Sequence, residues 1–175
     1  MPTLPWIVTA QSLIGTKEDT RPGKNNNVIL AWAKKIGGWI SSYYNEDSIP
    51  WCGLFVGHCM AANGIKPPEK LLAALEWKSF GVVLKEPCYG CVMVFRRTGG
   101  GHVGFYVSED RDTFHILGGN QSDSVSIARV AKSQYVAASW PAAYTDLITA
   151  GRIVKAFDET TDSAFSKVLS SSEMT

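Results

Sequence analysis

A chain of 175 residues that is 45% hydrophobic and 19% charged suits one domain with a sizeable core, and argues against global disorder. Its formal net charge of +1 offers no electrostatic basis for holding nucleic acid or anionic lipid. No stretch approaches the roughly 20 apolar residues of a membrane span, so no membrane insertion is expected.

Met1 to Gly15 (MPTLPWIVTAQSLIG) lacks the basic start, continuous apolar core and small-residue cleavage site of a secretory signal. Its amphipathic spacing predicts a short helix packed on the domain. The expectation is synthesis and release in the cytoplasm, with some other agent admitting the protein to any site of action outside. Asn27 is placed to cap a helix from Val28 to Lys35, with Val28, Leu30, Ala31 and Lys34 spaced by three and four, ended by Gly37-Gly38. Ser41 to Pro50 reads as loop. A second helix runs from Cys52 to about Ala62 and stops at Asn63-Gly64, with Pro67-Pro68 beyond. It is apolar on nearly every side (CGLFVGHCMAA), which places it at the centre of the domain. Glu69 to Phe80 reads as a third helix.

After Pro87 the pattern becomes short β-rich runs: Cys91–Arg97, His102–Ser108, Thr113–Leu117, Ser124–Val130 and Val136–Ala138. Thr98 to Gly101, Glu109 to Asp112 and Gly118 to Asp123 are the turns of antiparallel hairpins. Helices first and strands after predict an α+β domain over residues 1–145, its central helix packed on an antiparallel sheet of about five strands. Residues 146–175 form an extension in which Leu147, Ile148, Ile153, Val154 and Phe157 could make a helix interrupted by Gly151. From Asp158 onward it is polar and rich in Ser and Thr.

Four cysteines are too few for a dense disulfide framework at this length. Cys88-Tyr89-Gly90-Cys91 has the spacing of half a zinc site or of a redox pair. No second CxxC or HxxxH supplies the other ligands, and no strand–CxxC–helix pattern surrounds it. Buried or turn thiols are the default reading. Cys52 differs by position. It follows Pro50-Trp51 and opens a helix, where unpaired amides and the macrodipole favour a thiolate and can serve as an oxyanion hole. Cys59, seven residues further along, is in the core.

His102 opens a strand directly after Gly99-Gly100-Gly101, at a rim where a general base belongs. His58 and His115 are expected to be structural. If Asp110 to Asp112 form a three-residue hairpin loop, opposed residues have numbers summing to 222 and His102 faces Asn120. Asn120 then accepts the imidazole N–H and orients the ring, whereas a one-residue slip would turn it to the other face. Cysteine at a helix mouth, histidine at a strand start and a polar orienting residue together fit nucleophilic hydrolysis.

At these residues the chain resembles the CHAP and NlpC-type cell-wall amidases and peptidases of the papain-like fold, and within them a branch common in phage lysins. The stretches that carry the resemblance are Pro50 to Val56, Asn63 to Ile65, Trp77 to Gly81, Pro87 to Phe95, Gly101 to Phe105, and Leu117 to Gln121 followed by Val125. They occur in the family's order and span residues 15–141. One departure is Cys91, which stands after Gly90 where similar proteins carry an acidic residue. The resemblance implies Cys52 as nucleophile, His102 as base and Asn120 as orienting residue, acting on amide bonds of peptidoglycan through a thioester without metal or organic cofactor. Trp51, Gly101 and Gln121 are the candidates for lining the substrate cleft. A phage or prophage endolysin that reaches the wall after a holin opens the membrane is the expected role. The alternatives are an interbacterial amidase effector neutralised by an immunity protein, and a catalytically inactive wall-binding module.

Overall fold

A computed structural model describes residues 3–149. The extension beyond Thr149, including Ile153, Val154 and Phe157, lies outside the described residues. Helix α1 (Pro5–Ser12) starts on a proline, whose missing N–H matters least in a first turn, and buries Trp6, Ile7 and Ala10. Helix α2 (Asn27–Ile36) is capped one residue earlier than expected: Asn26 accepts the Val28 N–H at 2.8 Å. Its core stripe is accordingly Ile29, Trp32 and Ala33, while Val28 is half exposed. Gly37 and Gly38 end α2 with positive φ. A further short helix, α3 (Gly38–Tyr43), then runs into the first three residues, Ser41 to Tyr43, of the stretch expected as loop.

Helix α4 (Cys52–Ala61) is the buried central helix, with every residue from Cys52 to Met60 inaccessible or nearly so. The segment expected as a third helix instead consists of turns and a 3-10 stretch, Ala74–Ser79. An α-helix would commit the Leu71 carbonyl to the amide four residues on, but the Trp77 indole takes it at 2.8 Å.

The sheet has six antiparallel strands: β1 (Val82–Leu84), β2 (Val92–Arg97), β3 (Gly100–Glu109), β4 (Thr113–Gln121), β5 (Ser124–Ala131) and β6 (Tyr135–Trp140). Their order is β1-β6-β2-β3-β4-β5. The unexpected strand is β1, a short edge whose exposed Val82 and Val83 carry no inward-facing alternation. The protein is thus an α+β fold with helices and a six-stranded antiparallel sheet. Helix α5 (Thr145–Thr149) follows, with Leu147 and Ile148 half-buried against the core. No described helix is long and apolar enough to cross a membrane.

One face of the sheet receives α4, where Phe55 meets Phe105 edge-on at 6.2 Å. The other face collects Phe95, His102, Tyr106, Phe114 and Tyr135. Phe114 on β4 lies 5.8 Å from Tyr135 on β6. Those strands are three positions apart, which in a flat sheet would separate them by about 14 Å. The sheet is therefore curled around a second, aromatic core.

Candidate active site

The site forms where β3 and β4 part. Tyr106 exchanges both its backbone bonds with the turn before β2, donating to Cys91 O at 3.0 Å and accepting from Gly90 N at 2.8 Å. Backbone groups alternate sides along a strand. His102 and Gly104 therefore also turn theirs toward β2, while Val103 and Phe105 turn theirs toward β4. The β3–β4 ladder ends at Phe105 paired with Leu117, which leaves the Val103 N–H without a strand partner. The Cys52 sulfur lies close enough to that place for the Val103 N–H to favour its thiolate form. The opening of α4 lies against the same gap: a Cβ on Gly119 would stand 2.6 Å from Phe55 Cβ and 2.7 Å from Trp51 Cζ3. Cys52 is so brought to the residue next to His102 by the absence of side chain at Gly119.

The imidazole partner is Gln121, one residue beyond the expected Asn120. The register sum of 222 does occur, at Phe105–Leu117 and Tyr106–Ile116, but by a different route from a three-residue loop. Near the turn the pairs are Glu109–Phe114 and Ser108–His115, and an irregularity at Val107 shifts the register by one. Beyond Leu117 the two strands diverge, so no ladder carries the register to His102 and Asn120. Asn120 then adopts φ 56°, in a break of the β4–β5 pairing between Gly118 and Gln121. That kink returns the Gln121 side chain beneath Gly118, toward the ring.

Gln121 fixes the ring's proton as well as its position. Its Nε2 donates to Ile116 O at 3.1 Å and to Ser126 O at 2.6 Å. Two carbonyl acceptors require the amide nitrogen on that side, so Oε1 faces His102 Nε2 at 2.9 Å and can only accept. His102 therefore carries its proton on Nε2, and Nδ1 keeps a free lone pair. Phe95, paired with His102 across β2 and β3, stacks against the ring at 6.4 Å between centroids.

Burial outweighs the helix N-terminus at the thiol. Cys52 is 6% exposed and His102 2% exposed. Desolvation pushes the Cys52 pKa above the usual thiol value, against bonds from the Val103, Gly53 and Cys52 amides and the charge of Arg97. Desolvation, then the Arg97 charge, lowers His102 to about 4, with the Gln121 bond acting the other way. Burial thus favours the neutral form of both the sulfur and the imidazole. Arg97 was not among the expected residues. It ends β2 opposite Gly100, exposed, two residues past Phe95 and so on the His102 face. Only the pairing of that hairpin reveals it.

Other expected residues have different surroundings. Trp51 is fully buried, and its indole N–H donates to Glu18 Oε1 at 2.6 Å, so it packs the core instead of lining a cleft. Gly101 is half-buried beneath Leu75, 2.9 Å from where its Cβ would be. His58 stacks on Trp32 at 5.1 Å, and His115 bonds Ser108 and Asp110. Cys59 is fully buried in α4 and its pKa is raised by that burial. A groove of about 660 Å³ bounded by Ile65, Pro67, Phe80 and Tyr144 opens beyond the far end of α4 and contains none of these groups. No grouping of metal-ligating side chains is present among the described residues. No family model matches the chain, and no curated protein matches it.

Proposed function

We propose that this protein is a cysteine hydrolase of papain-like type that cleaves an amide bond of peptidoglycan peptide, in the manner of a phage or prophage endolysin. The observation that carries the chemistry is a His102 ring held by Gln121 with Nδ1 unprotonated, next in the chain to Val103, whose amide favours the thiolate form of Cys52. The substrate class rests on the resemblance of the Pro50–Val56, Gly101–Phe105 and Leu117–Gln121 motifs to cell-wall amidases.

In this mechanism the thiol loses its proton to His102 Nδ1 as sulfur attacks the amide carbonyl. The developing imidazolium strengthens the Nε2–H bond to Gln121. The Cys52 and Gly53 amides at the open end of α4 donate to the oxyanion. His102 then protonates the departing amine, leaving a thioester on Cys52. Water activated by the same ring releases the acid and restores the thiol. Neither metal nor organic cofactor is required.

The test is mass spectrometry of peptidoglycan digested with wild type and with Cys52→Ala. New amine and carboxyl ends from wild type alone support the reading and identify the bond. Identical fragments from both proteins refute Cys52 as nucleophile. A folded wild type that releases no fragments refutes hydrolysis of this substrate.

A further inference from the structure

The turn preceding β2 holds two cysteines that the proposed hydrolysis does not use. Cys88-Tyr89-Gly90-Cys91 is a β-turn closed by the Cys91 N–H on Cys88 O at 3.0 Å, with Gly90 at φ 80°. This is the type II arrangement that needs glycine at its third position. Residues i and i+3 of such a turn have Cα atoms within about 7 Å, inside the range a disulfide spans. The two side chains lie close enough across the turn for each thiol to shift the other's titration. The turn is clamped on both sides. Trp6 donates its indole N–H to Gly90 O at 2.8 Å, and Gly90 N donates to Tyr106 O. A Cβ on Gly90 would stand 2.3 Å from Leu4 Cδ1, so helix α1 packs directly on it.

The two thiols are unequal. Cys88 is half-buried, whereas Cys91 is fully buried opposite Tyr106. Cys91 pulls the Cys88 pKa down, and burial pushes that of Cys91 up. This is the pattern of an attacking thiol at the surface with a resolving thiol behind it.

We propose that Cys88 and Cys91 are a redox-active pair that closes to an intramolecular disulfide by exchange with a low-molecular-weight disulfide. The Cys88 thiolate attacks one sulfur of the oxidant, the oxidant's S–S bond breaks, and one thiolate leaves. Cys91 then attacks the Cys88 sulfur and displaces the second thiolate. The two protons of the cysteines end on the two released thiols, and two electrons pass from the protein to the oxidant. Cys91 pairs with Tyr106 and Phe95 with His102, four residues apart along the strands, or about 13 Å. Closure is therefore local to the turn and leaves Cys52 a free thiol.

The experiment treats the full chain with glutathione buffers of graded redox poise, traps free thiols by alkylation and maps the peptides by mass spectrometry. The expected result is a Cys88–Cys91 link while Cys52 and Cys59 remain alkylated. Cys91→Ser should instead accumulate one glutathione on Cys88, and Cys88→Ser should leave Cys91 unmodified. Absence of the link at every poise overturns the proposal, as does oxidation that begins at Cys52. Glutathione on Cys88 of the wild type without resolution by Cys91 also overturns it. None of these readouts depends on peptidoglycan cleavage, so the redox pair and the hydrolase reading fail separately.

Discussion

Replacing Gln121 by leucine tests the site at the point where its geometry is most particular. The amide accepts from His102 Nε2 and donates to Ile116 O and Ser126 O, and the residue is 5% exposed. Leucine retains most of the volume and none of these bonds. The bond to Ser126 O is only part-buried, whereas those to the imidazole and to Ile116 O are buried, so two groups, the imidazole N–H and Ile116 O, carry the loss. At about 1–3 kcal/mol for each, stability should fall by about 2–6 kcal/mol. The rate effect is separate. Once the ring accepts the thiol proton, its bond to Gln121 becomes charge-assisted, worth about 1.5–3 kcal/mol, so hydrolysis should slow roughly 10- to 150-fold. Asn120→Gly is the matched control, because glycine keeps the positive φ of 56° while deleting the side chain. It should retain activity within about threefold. Amine release from peptidoglycan measures the rates, and nitrogen NMR of the ring reports the tautomer. A larger loss in Asn120→Gly than in Gln121→Leu would refute the assignment, and so would wild-type His102 protonated on Nδ1.

Arg97→Gln removes a cation that disfavours the imidazolium, so His102 should become easier to protonate. Because the neutral ring is the base, the acid limb of the rate profile should move upward from about pH 4, and the shift should shrink with added salt. An unmoved limb at low salt would exclude Arg97 from the site's electrostatics. Gly119→Ala drives a methyl against Phe55 and Trp51, neither of which ends in a flexible tip. It should cost about 1–3 kcal/mol in denaturant unfolding and displace Cys52 from the Val103 amide. Gly100→Ala, with nothing within 4 Å, should stay within about 0.5 kcal/mol of wild type; equal effects at the two glycines would contradict the packing described.

Much of the architecture is legible because it is local. The nearly all-apolar run from Cys52 to Met60 is sufficient to place α4 at the centre, and Asn63-Gly64 to stop it. Turn residues around Gly99 and Asp110 mark hairpins that the structure contains. Errors arise where a distant group competes for a local one. The Trp77 indole, six residues along, takes the Leu71 carbonyl where a helix was expected; the α2 cap is instead a local slip, with Asn26 standing in for its neighbour. The edge strand β1 has no alternation to read, since two of its three residues are exposed and the third is half-buried.

The site divides along the same line. Cys52 at a helix opening and His102 at a strand start follow from short-range pattern, and the sequence by itself determined both positions. Which residue orients the ring was decided by tertiary structure, because the ladder ends at Leu117 and the left-handed turn at Asn120 passes the role to Gln121. The thiol's neutrality was decided there too. Helix-end amides pull its pKa down in any context, but the desolvation that overrides them exists only once β3, β4 and α4 close around the sulfur.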